Sequence, residues 1–363
     1  IVSNIYDLDI NSDYLNIDDI NTLSEKAMSY MQEGETANTS SNTNSIPVIV
    51  HNGIVNMNKI VTGNIELKNT KTDLTVAKNI LALRKLSTDI FKGKVNGNIY
   101  IDLISMLIDT DLTGSDIDVE KALLDSSGMK DSLSGTADFT SKLLINGAAA
   151  TPEAQMAGIN GDVDFTVTNG QFGPFGKLEN LILAENIRES QFFQTALGGI
   201  INSLATIDTT HFSELTGHVS LKDGMCNIDP ITSKGNVMNL HILGNFDLLK
   251  NYADMKVRVK LTSVISSLLG PLNAINPINI MSSTASLNVV TAKAFSLFCE
   301  TVTEEELAIL PKFSNSYEDF SATKFQLGVR GDVAKPFTLI KSFKWLATQA
   351  QFDSAQEFTS ALP

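Results

Sequence analysis

Arginine is scarce in this chain. Its 363 residues hold four, at Arg84, Arg188, Arg258 and Arg330, too scattered along the sequence to read as an anion-binding cluster. Acidic residues outnumber basic ones 41 to 27, for a net charge of −14. That balance argues against a nucleic-acid partner, because such binding depends on Lys and Arg neutralising phosphates. Cysteine is nearly absent. Cys226 and Cys299 cannot build a disulfide framework and lack the spacing of a metal site. Each reads as a small buried hydrophobe, and a single bridge between them stays open. No stretch reaches ~18 uninterrupted apolar residues, so nothing in this sequence is expected to span a bilayer as a helix. The opening IVSNIYDLDI has no initiator Met, no basic n-region and no cleavage site. It reads as the continuation of something longer.

Chemistry is equally thin. There is no GxSxG, no P-loop and no HExxH. The four histidines, His51, His211, His218 and His241, show neither an i,i+4 pair on a helix nor ligand spacing to carboxylates. His51 sits in a turn-like HNG, and His241 is expected on the wet face of its strand. KGKVNGN at 92–98 runs into a strand rather than the helix N-terminus that would hold a phosphate. DLDINSD and DIDVE lack the glycine turn and closing Glu of an EF-hand loop. Asp162 and Asp164 share one strand face, which solubility explains. The expectations are therefore no catalytic residues, no metal and no cofactor.

What the sequence has in quantity is alternation, the mark of a strand with one apolar and one wet face. In FKGKVNGNIYIDL (91–103), Val95, Ile99, Ile101 and Leu103 alternate with Lys94, Asn96, Asn98, Tyr100 and Asp102. Ile65 and Leu67 repeat the pattern, as do Val163, Phe165 and Val167, then Val219 and Leu221. Further along come Leu240, Ile242, Phe246 and Leu248, then Met255, Val257, Val259 and Leu261. Ala285, Leu287 and Val289 follow, and finally Phe325, Leu327 and Val329. HNG at 51–53, NG at 96–97, 160–161 and 169–170, and DG at 223–224 are read as turns. Short strands joined by tight turns predict a mostly antiparallel sheet.

Helical candidates are fewer: 18–32, 116–127 from an Asp or Ser cap, 178–205, 264–275, 303–310 with its three glutamates at the start, and 337–349 carrying Trp345, the only Trp. GETANTSSNTNS at 34–45 reads as a flexible linker. The expected organisation is an N-terminal strand/helix segment (1–33), that linker, a first β block with helix 178–205 (46–205), and a second β block with a C-terminal helix (206–363).

Three strands, FKGKVNGNIYID, TSKGNVMNLHILGNFDL and KFQLGVRGDVAKPF, carry glycines inside the strand or at Gly-Asn and Gly-Asp steps. Glycine within a strand often marks a bulge or a bend. Such a sheet curls with its apolar face inward, into either a closed barrel or an open trough.

The order of these blocks resembles the AsmA family of bacterial envelope proteins. The resemblance rests on DLDINSDYLNIDD (7–19), the SSNTNSIP linker, GIVNMNKIVTGNIELKNTKTDLTVAKNILALRKLSTDIFKGKVNGNIYIDL (53–103), LTGSDIDVEKALLDSSGMKDSLSGTADFTSKLLINGAA (112–149) and INGDVDFTVTNGQFGPFG (159–176). LTGHVSLKDGMCNI, LHILGNFDL and VRGDVAKPF complete it. The resemblance implies a mainly β fold, a long, strongly curved antiparallel sheet forming a U-shaped hydrophobic groove with a few short helices. It also implies a periplasmic protein tethered to the inner membrane through an upstream segment. Such a protein would shield the acyl chains of phospholipids between inner and outer membranes, with other envelope proteins as possible partners. The family offers no catalytic residues to carry over.

The lipid-facing candidates are the alternating residues Val95, Ile99, Ile101, Val163, Phe165, Val167, Val219, Leu221, Leu240, Ile242, Phe246, Val257, Val259, Leu287, Val289, Phe325, Leu327 and Val329. The competing expectation is a structural or assembly protein of the outer envelope, in which the same residues pack a closed core or a partner and conduct no lipid.

Overall fold

A computed structural model describes residues 4–19, 48–149, 151–173, 210–263, 299–313, 323–333, 340–351 and 353. Strand makes up 71% of them, so the protein is mainly β, as the alternation requires. In chain order the elements are β1 (Asn4–Ser12), β2 (Leu15–Asn16), β3 (Val48–Thr62), β4 (Ile65–Ala77), β5 (Ile80–Ile90), β6 (Gly93–Asp102), β7 (Leu107–Asp118) and the helix α1 (Val119–Ser127). Then follow β8 (Leu133–Asn146), the short helix α2 (Pro152–Ala157), β9 (Ile159–Phe172), β10 (His211–Lys222), β11 (Met225–Gly235), β12 (Met238–Asp247) and β13 (Tyr252–Leu261). β14 (Cys299–Val302), the helix α3 (Glu304–Ala308), β15 (Thr323–Asp332) and β16 (Ile340–Thr348) close the series.

The strands hydrogen-bond in the order β1-β3-β4-β5-β6-β7-β8-β9-β10-β11-β12-β13-β15-β16-β14, and β2 also pairs with β3. β1 and β2 run parallel to β3, and β14 runs parallel to β16. The meander from β3 to β8 and that from β11 to β13 are antiparallel. The chain divides into two compact units. The first comprises Ile1–Lys130, Thr136–Phe165 and Leu221–Gly224; the second comprises Asp131–Gly135, Thr166–Ser220 and Met225–Pro363.

Within the first unit the strands are bent by left-handed residues. Lys85 (φ 53°) and Asp116 (φ 56°) both stand where the pairing register shifts. Each sends its amide to a side chain on the next strand: Lys85 N–H to Asn98 Oδ1 at 3.2 Å, and Asp116 N–H to Asp138 Oδ1 at 2.9 Å. The bulge thus leaves neither amide without a partner. At Gly114 a Cβ would run into the ring of Phe139, its cross-strand partner. The aromatic side chain covers the missing one.

Four of the five expected turns are not turns. His51–Gly53 lies in β3, Asn96–Gly97 in β6, and both Asn160–Gly161 and Asn169–Gly170 in β9. Two of these glycines take a positive φ within their strands instead, Gly97 at 151° and Gly161 at 136°. Only Asp223–Gly224 makes its hairpin. Other tight turns use Lys78–Asn79 and Phe91–Lys92, left-handed without any glycine. α1 starts later than the expected 116, since residues 116–118 finish β7; its cap is Asp118, whose side chain accepts from the Lys121 amide at 2.9 Å, and it ends at left-handed Gly128. α3 opens on a full capping box between Thr303 and Glu306.

The helix expected over 337–349 is a strand, β16. Trp345, Leu346 and Ala347 are all buried, so both faces of β16 are covered. Its period is hidden because Lys341 and Ser342 fall on opposite faces and Lys344 shares a face with buried Leu346, so neither face of IKSFKWLAT reads as wholly apolar or polar. Most of 18–32, and all of 178–205 and 264–275, lie outside the described residues.

Candidate functional site

Direct cross-strand partners lie on one face of a sheet, so the pairing register of the first unit can be read as rows. One row runs Val50–Val76–Leu81–Ile101–Ile108–Ile145 across six strands, every member aliphatic. The row beside it runs Gly53–Leu74–Leu83–Ile99–Thr110–Leu143. Five inter-strand steps of about 4.8 Å make each row roughly 24 Å long. One leaflet of a ~30 Å hydrocarbon core is about 15 Å deep, so an extended acyl chain fits along a row.

The face becomes more polar further along the strands. The next rows hold Leu86–Gly97–Leu112–Ser141 and Thr88–Val95–Gly114–Phe139. Thr70 and Thr88 share a hydroxyl contact of 2.8 Å, and Thr72 and Thr110 donate to the Arg84 and Leu143 carbonyls. These hydroxyls are satisfied within the sheet, and all four threonines are buried.

The sequence-predicted residues separate by burial. In the first unit Val95, Ile99, Ile101, Val163, Phe165 and Leu221 are half-buried, leaving apolar surface open. In the second, Val219, Ile242, Phe246, Val257 and Val329 are half-buried, whereas Val167, Leu240, Val259, Phe325 and Leu327 are buried. Leu240, Val259, Phe325, Trp345 and Cys299 form a row of direct partners. Phe343 stacks on Phe325 at 4.8 Å and meets Trp345 edge-on at 5.0 Å. This row is core. Leu287 and Val289 lie outside the described residues.

The opposite face of the second unit carries buried charges, Arg258 and Lys260. Thr232, His241, Arg258 and Gln326 are partners in register. Arg258 Nη2 donates to Glu306 Oε1 of α3 at 2.7 Å and holds that carboxyl below its ordinary range. The Asn239 amide donates to the Pro311 carbonyl at 2.7 Å, and Lys260 Nζ lies 5.0 Å from the centre of the Phe313 ring. His241, expected on the wet face, is 2% exposed because the 299–313 segment covers that face. Burial first, and Arg258 beside it second, push its pKa down. Sequence reasoning missed this cluster; nothing in KVRVK announces that its polar side is covered.

An open cleft of about 460 Å³ lies at the β5–β6 turn of the first unit, lined by Lys68, Lys92, Lys94 and Lys121 together with Glu66, Asp89 and Asp116. Each of these lysines is already paired with a carboxylate, Lys121 with Asp125 at 2.7 Å. It offers no unbalanced charge for an anion. Among the described residues no group of three or more His, Cys, Asp or Glu is placed to hold a metal. Cys226 and Cys299 are free thiols, Cys299 buried. Among the described residues no helix is long and apolar enough to cross a membrane.

A family model described as the AsmA family matches residues 15–231, more than half of the chain. Comparison with curated proteins gives no match.

Proposed function

The chain belongs to the AsmA family, a family of the cell envelope, and from that premise we propose that it carries acyl lipids on the aliphatic rows of its first unit. The observation that carries this reading is the unbroken row Val50–Val76–Leu81–Ile101–Ile108–Ile145, half-open along most of its length. A lipid laid across the strands buries its methylenes there at about 0.8 kcal/mol each. Its headgroup stays in water, and no arginine cluster is required. The protein works without catalysis, metal or cofactor. Its partners are phospholipid or another acyl lipid, the inner and outer membranes, and envelope proteins. It acts in the periplasm, tethered to the inner membrane.

Native mass spectrometry of the purified protein tests this together with photocrosslinking at Ile101 and, as a control on the opposite face, Tyr100. Co-purifying phospholipid and crosslinks at Ile101 alone support the reading. Absence of both lipid and crosslink sinks it. One observation favours a second reading, a structural or assembly role in the envelope: in the second unit the row through Val259 and Phe325 is filled by the protein itself. Under that reading the first unit's rows bind protein and extract no lipid.

A further inference from the structure

The β4–β5, β6–β7 and β8–β9 connections fall at one end of the antiparallel meander, and hydrogen bonds tie them into a rim. Leu103 N–H donates to Asn79 O at 2.8 Å, and Gly147 N–H donates to Met106 O at 2.9 Å. The β6–β7 tip and the neighbouring end of β8 are apolar and exposed, with Ile104 52%, Leu144 45%, Met106 41% and Leu107 41% accessible, while Lys78 and Glu153 put single charges in the flanking connections. LISMLI (103–108) and LLINGAAATP (143–152) contain no charged residue. The carboxylate at the base of the β6–β7 turn, Asp102, is occupied. It accepts from the Ile104 and Ser105 amides at 2.8 and 3.1 Å, which hold its pKa down. Met106 is fixed at φ 56°, a left-handed conformation uncommon for such a side chain. These tips are held in place with their apolar side chains facing water.

Two features name the occupant. First, the strand ends carry apolar side chains on both faces, although Asn146 and Asp109 stand opposite Leu107 and Leu144 on the second face. Ile108 and Ile145 belong to the row that is proposed to take acyl chains, while their neighbours Leu107 and Leu144 point the opposite way. A protein partner docking on a sheet covers one face, whereas an edge with apolar side chains on both sides suits immersion in an apolar medium. Second, the rim is continuous with the row: Ile101, Ile108 and Ile145 lie within a few residues of Ile104, Leu107 and Leu144. The far end of the same strands is charged, with Lys92 paired to Asp118 and Lys94 to Asp89.

We propose that this hairpin rim dips into the surface of a lipid bilayer, so that lipid passes sideways between the leaflet and the row. This rests on the lipid-carrying reading above but is tested apart from it. With a net charge of −14 the protein gains nothing from anionic lipid, so the probe is a pure phosphatidylcholine vesicle. The intact chain is expected to float with such vesicles. Ile104→Asp combined with Met106→Asp is expected to lower the bound fraction at least tenfold; both residues are exposed, and Asp tolerates the left-handed position better than Met. Lys94→Gln, at the far end, is expected to leave binding unchanged. Failure of the wild type to float, or flotation of the double variant like the wild type, overturns the proposal. So does a dimer in light scattering that the double variant dissolves while vesicles bind neither form, because the rim then joins two copies. Phospholipid found on a protein that does not float refutes the rim alone. Flotation of a protein that carries no lipid upholds the rim and refutes the carrier reading.

Discussion

Arg258 reaches out of the β13 ladder to Glu306 on α3, Nη2 to Oε1 at 2.7 Å, with Gln326 Oε1 accepting from its Nε at 3.3 Å. The guanidinium is buried and the carboxylate is only partly so. The pair is therefore asymmetric. Glu306→Ala strands a buried cation, which costs about 2 kcal/mol. Arg258→Met leaves a carboxylate that water can reach and fills the space with apolar atoms, costing less than about 1 kcal/mol. Denaturant titration followed by the fluorescence of Trp345, buried in the same unit, measures both. Equal losses would remove the argument that burial of the arginine sets the cost.

Acid should loosen the same region. His241 has its pKa pushed below the ordinary 6.5, so the unfolded chain takes up the proton first. Stability is complete above 6.5 and falls as pH drops from there toward the lower folded value. Glu306 is likewise held below its ordinary 4.5, first of all by Arg258, and its contribution goes as pH falls from 4.5 downward. Melting temperatures recorded from pH 8 to pH 2.5 are expected to decline in two stages. His241→Gln should flatten the upper stage and leave the lower one. A profile unchanged by that substitution would assign the upper stage elsewhere.

Phe139 covers Gly114 across β7 and β8. Gly114→Ala forces the ring aside and is expected to cost about 1–3 kcal/mol. Phe139→Ala alone removes the cover and exposes the strand pair. The double variant should cost less than the sum, because the alanine no longer meets a ring. A strictly additive thermodynamic cycle would mean that the ring and the glycine do not depend on each other.

The two thiols should differ sharply. Burial pushes Cys299 up to about 12, and its side chain is closed off in the row with Trp345. Cys226 is half-buried and less perturbed in its surroundings, though its pKa is also raised by burial. Ellman's reagent at pH 8 is expected to titrate Cys226 slowly in the native protein and Cys299 only after unfolding, because the thiolate is the reacting form. Rapid release of two equivalents from folded protein would contradict the burial of Cys299.

Most strands were legible because a sheet with one covered face alternates at period two. β4, β6, β9, β10, β12, β13 and β15 all coincide with alternating runs. Turn chemistry was the poorer guide. Asn-Gly permits a hairpin but does not require one, and Gly97 and Gly161 take a large positive φ within their strands. β16 was unreadable for another reason, since Lys341 shares a face with Phe343 and Trp345 while Ser342 and Lys344 share one with Leu346, so no clean apolar face shows a period. The candidate residues were legible singly, but not their rows. That Ile101 faces Leu81 and that Ile108 faces Ile145 depends on registers set by bulges at Lys85 and Asp116. Nor could composition divide open rows from filled ones: Ile99 and Val259 come from equally regular alternation, yet Ile99 keeps open surface and Val259 has none.

Those registers make the row testable by obstruction. Ile101 stands in the middle of Val50–Val76–Leu81–Ile101–Ile108–Ile145, so Ile101→Trp should divide it into two shorter halves. An acyl chain that lies across the strands then loses contact for several methylenes. Two of them already exceed the ~1.4 kcal/mol that separates tenfold in affinity. Affinity for a long-chain phospholipid is expected to fall at least tenfold and that for a short-chain analogue much less. Tyr100→Trp, the same bulk on the opposite face, should change neither. The orientation makes the difference, since a chain lying along a strand would pass Ile99 and Ile101 together and be excluded regardless of its length. If Ile101→Trp weakens short and long chains alike, lipid does not lie along the row.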